Sequence, residues 1–318
     1  MDQLMATGEM VSISIMSMAI EALGGKSISL SGPQAGIAVE GPYGQSSVKD
    51  INKDNIISNL ESGNIVIVAG FQGIGGNGDI FTLGRGGSDV SAAALAAEFN
   101  CPCYIYTDVD GIHTVDPHHY PGARKLEQIS YDDALTMAAH GAKVMEPVAV
   151  KLAKEANIPV YVKRTLSNEP GTVITSRCNN QPSVVGMAIY KDLCLAYCKQ
   201  KPGTPLQKCL LETLEIAHIP TLFTKEEKES VVIGIKQADL SYANKVLPQV
   251  GLNVDERMEM ITIVHGGGDK LETCLRTILR DKGCEPYHVE PGNGRISFII
   301  EESQSPVVVN AFGTWLDL

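Results

Sequence analysis

Between residues 65 and 98 the chain runs from a short apolar stretch, Ile65 to Ala69, through a glycine-dense segment into an alanine-rich one, Val90 to Glu98. That succession constrains the fold. The first stretch reads as a buried strand and the last as a helix, and FQGIGGNGDIFTLGRGGSD between them reads as a glycine loop that turns tightly. Seven of its nineteen residues, Phe71 to Asp89, are glycine, so the backbone is free to take positive φ and to approach a ligand closely. Its second half, Gly84 to Asp89, lies where the helix begins. Orphan N–H groups and the positive end of the helix dipole point outward there, which suits an anion, usually a phosphate.

The same alternation continues on both sides. Val11 to Leu23 reads as a helix closed by Gly24-Gly25, Ile28 to Leu30 as a short strand, and Asp54 to Glu61 as a helix. Cys103 to Asp108 reads as a buried parallel strand running into the turn-rich 108–117. Ser130 to Ala139 and Pro147 to Ala156 read as helices, the first with Ser130 and Asp133 set as a near capping box, and Ile158 to Lys163 as a strand. Strands alternating with helices imply a parallel-rich sheet covered on both faces, an α/β domain over residues 1–178. Asn179 to Ser183 reads as a linker. Beyond it come two rounds of β-α-β-β, residues 184–255 and 258–318, a weak internal repeat in a ferredoxin-like order.

At 318 residues, the chain has room for about two domains of ~100–200 residues. A net charge of −11 argues against nucleic acid or an anionic membrane as the main partner. No charge-free apolar run is long enough to span a bilayer, so no transmembrane helix is expected. The first residues lack a basic start and carry Glu9 and Glu21, unlike a signal peptide, and a cytoplasmic protein is expected. The cysteines are scattered without zinc spacing and read as reduced, mostly buried thiols.

Several residues are candidates for chemistry. Arg85, flanked by glycines at a helix start, suits bidentate binding of a carboxylate or phosphate, against a plain surface salt bridge. Asp89 serves either substrate amine binding and active-site electrostatics or merely the helix dipole, and Ser88 by itself reads as only an N-cap. Thr107 and Asp108 end a strand, where ligands bind in open α/β sheets. Asp108, Asp110 and Asp116 are compatible with simple turn chemistry, and a calcium loop is excluded by the missing closing glutamate. His113, His118 and His119 read as surface residues rather than metal ligands. Lys143 either reaches a nucleotide or is solvated. Glu9 by itself is uninformative.

Taken in order, these pieces resemble the aspartokinases of the amino-acid kinase superfamily. The resemblance is carried by Met5-Ala-Thr-Gly-Glu9, Gln34-Ala-Gly36, Gly70-Phe-Gln-Gly73, Thr82 to Asp89, Thr107-Asp-Val-Asp-Gly111, Val115-Asp-Pro117, Ala139 to Met145 and Pro170-Gly-Thr172. It covers nearly the whole chain. The downstream repeat resembles the paired ACT domains of aspartokinases, which uridylate kinases, also similar at TDVDG, lack. The resemblance implies ATP- and Mg²⁺-dependent phosphorylation of L-aspartate to 4-phospho-L-aspartate, the first step toward lysine, threonine and methionine, with lysine or threonine as possible effector. It implies that Glu9 and Arg85 hold the aspartate, with Ser88 and Asp89 beside it and Asp89 near the transferred phosphoryl group. It further implies that Thr107, Asp108, His113, His118 and Lys143 contact the nucleotide, and that a homodimer forms through the ACT modules. The last strand, near Pro306 to Val309, is expected to return and complete the first module.

Three departures matter. The family's opening strand, with its Lys-Phe-Gly-Gly-Thr-Ser pattern and a phosphate-stabilising lysine, is absent, so little turnover is expected of this chain alone. His113 stands where the family has tyrosine, and His118 where it has arginine. Imidazole stacks and hydrogen-bonds but is fully cationic only below about 6.5, so both replacements bear on nucleotide affinity. An alternative reading is therefore a catalytically weak, ligand-sensing subunit or fragment. Its effector loops would be Lys201 to Thr204 and His265 to Asp269.

Overall fold

The computed structural model describes residues 1–142, 145–176, 183–199, 206–217, 219–227, 230–247, 253–267 and 270–318. Their contacts divide into two units. Met1–Ile112, Lys125–Leu135 and Val144–Asn179 form one, and His113–Arg124, Thr136–Lys143 and Asn180–Leu318 the other. Lys143 and residues 179–182 of the expected linker lie outside the described residues, as do Lys201 to Thr204 and residues 268–269 of the two expected effector loops.

The first unit opens with α1 (Asp2–Ala22), β1 (Ser27–Leu30), β2 (Ile37–Glu40), β3 (Ser47–Ile51), α2 (Asp54–Glu61) and β4 (Ile65–Val68). It continues with β5 (Gln72–Ile74), β6 (Ile80–Thr82), α3 (Gly87–Glu98), β7 (Cys103–Thr107), β8 (Gln128–Ser130), α4 (Tyr131–Ala139), α5 (Pro147–Ala156), β9 (Val160–Arg164) and β10 (Thr172–Thr175). Pairing is parallel for β1 with β4, β2 with β5, β7 with β9 and β8 with β10, as the alternation of strands and helices predicts. Among the described residues β4 pairs only with β1, and β7 only with β9. Alanines let the helices close up: Val90 and Ala93 of α3 and Ala149 of α5 share one core with Leu30, Ile37 and Phe81. Helix α5 starts on Pro147 and stops at Asn157, in the left-handed region at φ 53°.

Two details differ from the sequence reading. The glycine segment is not all loop: β5 and β6 form an antiparallel hairpin, with Gly73 opposite Phe81. Its tip turns at Asn77-Gly78, where Gly78 takes φ 84°. The first helix also begins nine residues earlier than Val11, at Asp2. The cause is the Asp2 carboxylate, which accepts the backbone N–H of Gly44 at 2.7 Å and of Thr82 at 2.8 Å, and the Thr82 hydroxyl at 3.1 Å. Burial pulls its pKa up, but these hydrogen bonds outweigh it and hold the group below its ordinary value. By length and composition alone α1 is also long and apolar enough to cross a membrane, contrary to the reading from charge-free runs. Its outer face exposes Leu4, Met5, Val11, Ile15, Met16 and Met18.

In the second unit the elements are β11 (Val184–Lys199), α6 (Leu206–Ile216), β12 (Phe223–Glu226), β13 (Ser230–Lys236), α7 (Leu240–Val246), β14 (Asn253–His265), α8 (Leu271–Asp281), β15 (His288–Gly292), β16 (Arg295–Glu301) and α9 (Ser305–Leu316). All its strands lie in one antiparallel sheet, ordered β12-β13-β11-β14-β16-β15. The two long strands change partners midway. Leu193 to Lys199 of β11 pair with β13, while Val184 to Tyr190 pair only with β14. Met258 to Val264 of β14 pair with β16, while its first residues lie against Leu195 to Tyr197 of β11. Each round thus borrows its fourth strand from the other. Pro306 to Val309 are therefore not a returning strand. They lie in α9, which a proline at its start favours and whose Val308, Val309 and Phe312 are buried.

The loop His113–Arg124 is built into this second unit. The Met187 N–H donates to the Thr114 carbonyl at 2.7 Å, and Val115 sits in the core with Phe298 and Phe312. Arg124 Nη1 lies 3.1 Å from Asp317 Oδ2. Phe312 is fully buried, its ring centroid 5.3 Å from that of Phe298. Phe312→Ala should cost ~3–5 kcal/mol in urea unfolding, with the loss confined to the transition of the second unit.

Candidate active site

The end of β4 and the first turn of α3 are in backbone contact. A β-carbon placed on Gly70 would lie 3.2 Å from the Cα and Oγ of Ser88, and one on Gly87 would lie 2.7 Å from the Phe71 ring. Phe71 between them takes φ 68°, a left-handed conformation unusual for a bulky residue. It is held there from both sides. The buried Ser91 hydroxyl accepts the Phe71 N–H at 2.9 Å, and the Phe71 carbonyl accepts the Leu83 N–H at 3.0 Å. Gly84 and Gly86 also have positive φ, and a β-carbon on Gly86 would lie 2.6 Å from the Glu146 side chain.

This packing sets the residues singled out at 85–89. Arg85 is exposed, and makes no ion pair or hydrogen bond among the described residues. Ser88 is exposed and does not act as the cap, since position 86 is the N-cap and no side chain caps the helix. Gly87 and Val90 N–H groups bond to the carbonyls of Gly84 and Gly86. Those of Ser88 and Asp89 have no acceptor among the described residues, so the first turn presents unclaimed donors beside a free guanidinium. Asp89 is half-buried. Burial raises its pKa above the ordinary value, partly offset by the Glu146 N–H that its carboxylate accepts.

Helix α1 joins the same cluster. The wholly buried Gln72 of β5 donates from Nε2 to the Ala6 carbonyl at 3.1 Å. Glu9 is one turn further along, on the inward stripe Asp2, Ala6, Glu9 and Ile13, and is half-buried. Glu9, Arg85, Ser88 and Asp89 therefore sit on elements tied directly to one another.

Thr107 and Asp108 occupy the carboxyl end of β7, parallel to β9. The Thr107 hydroxyl donates to Asp108 Oδ1 at 3.1 Å, and the Thr107 carbonyl accepts from the N–H and hydroxyl of Thr165. Asp108 itself is exposed. The three aspartates of this stretch go separate ways. Asp110 lies 3.6 Å from Lys125, whose pKa is raised chiefly by its hydrogen bond to Glu169. Asp116 is held below its ordinary pKa. Burial pulls it up, but the backbone N–H and ring of His118 and the nearby His119 outweigh that. Among the described residues no three His, Cys, Asp or Glu form a metal-binding group. His113 and His118 belong to the second unit; His113 is half-buried, and the His118 side chain is 92% exposed with Nδ1 2.9 Å from Asp116.

Three supporting residues carry no role in the sequence reading: Gln72, Ser91 and Thr172. The buried Thr172 hydroxyl accepts the Ile112 N–H at 2.8 Å and donates to the Leu126 carbonyl at 2.6 Å, clamping the loop after Asp108. A β-carbon on Gly111, at φ 146°, would lie 2.6 Å from that oxygen. Gln72 and Thr172 do appear in the motifs quoted above, but only their burial shows what they do.

The amino acid kinase family model matches residues 1–164. The chain is 34% identical over 317 residues to the aspartokinase of Geobacillus stearothermophilus, covering 95% of this chain and 78% of that one. It is 30% identical to the aspartokinase of Pseudomonas aeruginosa, over all of this chain and 82% of that one. In fold it superposes on E. coli aspartokinase III, solved in complex with aspartate and ADP, with a TM-score of 0.86 at 20% identity, over 100% of this chain and 76% of that one.

The raised pKa of Asp89 makes a signed prediction. The folded state favours the protonated carboxyl, so ionising Asp89 costs stability. That cost is absent below the unfolded pKa of 3.8 and fully present once pH exceeds the raised folded value. Asp89→Asn keeps an acceptor for the Glu146 N–H without the charge. It should melt higher than the parent chain at pH 7, and the difference should shrink to nothing as pH falls below about 4.

Proposed function

Because the chain belongs to the aspartokinases of the amino acid kinase family, we propose that it transfers the γ-phosphoryl group of ATP to the side-chain carboxylate of L-aspartate, forming 4-phospho-L-aspartate. The observation that carries this reading is the first turn of α3: a guanidinium and two N–H groups without a partner among the described residues, and a half-buried carboxylate, on a turn docked against the end of β4. Arg85 grips a carboxylate of the substrate, and Glu9 takes its ammonium. A substrate carboxylate oxygen attacks the γ-phosphorus in line, and ADP leaves. Little covalent work falls to the protein, so positioning and charge neutralisation dominate. The helix start meets the transferred phosphoryl group, and Asp89 lies beside it. Thr107, Asp108, His113, His118 and Lys143 hold the nucleotide. Mg²⁺ would be held chiefly by the phosphates of the nucleotide, with the half-buried Asp89 as the carboxylate beside them, and would supply charge neutralisation there.

The rest of the reading follows the family. Residues 1–178 form the kinase domain and 184–255 and 258–318 two ACT-type modules. Lysine or threonine is the expected effector. The chain acts in the cytoplasm, consistent with the free thiols of Cys101, Cys103, Cys194, Cys198, Cys274 and Cys284, of which Cys103 and Cys198 are pushed up by burial to about 11. Two copies pair through the ACT modules; light scattering at micromolar concentration should give the dimer mass, and a monomer would count against it.

The activity is tested by trapping aspartyl phosphate with hydroxylamine in the presence of ATP, Mg²⁺ and L-aspartate. Phosphorylation of UMP with none of L-aspartate would overturn it. Among the described residues β4 and β7 each have one edge without a partner strand, which favours a second reading, in which the chain binds these ligands but turns over weakly as a regulatory subunit. Calorimetry separates the two from a wrong assignment. L-Aspartate should bind in either case. Arg85→Ala should weaken that binding at least tenfold, as loss of a charged hydrogen bond of ~1.5–3 kcal/mol implies. Since Arg85 is exposed and has no partner among the described residues, the same change should leave unfolding within ~0.5 kcal/mol of the parent.

A further inference from the structure

A cavity of about 290 Å³ lies wholly within the second unit, lined by Asp116, His119, Gly141, Ala142 and residues 187–192. Its polar wall is unusual. Both ring nitrogens of His119 are shielded from solvent and make no hydrogen bond among the described residues, although Nδ1 is 3.5 Å from Asp116 Oδ2. A shielded imidazole with neither nitrogen engaged is costly unless something supplies the partner. The facing wall is irregular: the β11–β14 register slips between Tyr190 and Leu193, so Lys191 and Asp192 pair with neither neighbouring strand. Their charged side chains are exposed at the rim. The floor is apolar, from the buried Met187, Ala188 and Ile189. Gly141, at φ 104°, lets the chain close against it, since a β-carbon there would lie 2.4 Å from the Ile189 carbonyl.

Opposite charges therefore meet around an apolar floor, in a volume at the low end for small-molecule sites. We infer that this cavity is a binding site for a small zwitterion, an aliphatic α-amino acid. Its carboxylate meets Lys191 and His119, its ammonium meets Asp116 and Asp192, and its side chain lies on Met187 to Ile189. The site is distinct from the expected effector loops after β11 and β14. It also has a route to the nucleotide residues, because Asp116 accepts the backbone N–H of His118 at 2.9 Å and contacts its ring. That consequence rests on the kinase reading; the binding does not.

The test is calorimetry on the full chain without ATP or aspartate, titrating glycine, L-valine, L-methionine, L-threonine and L-lysine, with sodium phosphate and acetate as anion controls. At least one aliphatic amino acid should bind in the millimolar range or tighter. Lys191→Ala and Asp192→Asn, both at exposed positions, should each weaken it at least tenfold with melting unchanged. Ala142→Leu, which intrudes on the cavity, should do the same. No binding by any amino acid would overturn the inference, as would binding unmoved by all three variants or phosphate binding equally well. Titrating ADP with and without the saturating amino acid reads the coupling, and equal affinities would overturn that part alone.

Discussion

Neither Gly70 nor Gly87 has room for a side chain, and the candidate active site depends on that. Where they meet, one segment ends a strand and the other begins a helix, at backbone contact. The helix start, with its unclaimed donors, then faces the space beyond the end of β4. Phe71 pays for the approach with a left-handed φ of 68°, and Ser91 and Leu83 hold it there. A strained residue persists only where its surroundings over-determine it. Here the same hydrogen bonds that fix Phe71 also fix the pitch at which Arg85, Ser88 and Asp89 leave the turn. Asp2 and Gln72 extend the restraint to α1, and so to Glu9.

The second unit solves a different problem. A β-α-β-β-α round leaves one edge of its first strand unpaired, and an exposed edge invites aggregation. Here β11 and β14 are each long enough to serve both rounds, pairing with each other along their length and, on one half each, with β13 and β16. The two rounds become one sheet with helix-covered cores side by side, one around Phe298 and Phe312, the other around Leu210, Leu214 and Ile233. The register slip after Tyr190 is where β11 passes from one round to the other. The irregularity that opens a polar rim there is thus a consequence of sharing the strand.

Much of this was legible in the chain. The helices Asp54–Glu61 and Pro147–Ala156 were readable to the residue, the first closed by Gly63 and the second opened by Pro147. The strands Ser27–Leu30 and Cys103–Thr107 were readable as short apolar runs. Arg85, Ser88 and Asp89 were marked by glycines at a helix start. What failed was pattern without period: β5 and β6 are three residues each inside a glycine-dense segment, too short to show alternation. Pro306 to Val309 were expected as a returning strand from the family resemblance, but proline at a first turn and burial of Val308, Val309 and Phe312 make a helix. Gln72 and Thr172 were invisible as supports, since a buried side-chain hydrogen bond leaves no trace in spacing.

The loop between residues 113 and 124 changes how regulation is framed for such a chain. By sequence it is a turn between two kinase motifs. By packing it belongs with the C-terminal sheet, through Val115 in the core, the Thr114 carbonyl on Met187 and Arg124 on Asp317. The residues assigned to the nucleotide are thereby divided: Thr107 and Asp108 fold with the first unit, His113 and His118 with the second. Coupling between sites requires that a ligand favour one arrangement of a shared element over another. A loop proposed to carry nucleotide contacts, and packed with the C-terminal sheet, is such an element without any relay of intermediate residues. Thr172 and Gly111 clamp the chain just before it. A rearrangement of the C-terminal sheet around Val115 or Met187 would therefore carry His113 and His118 with it.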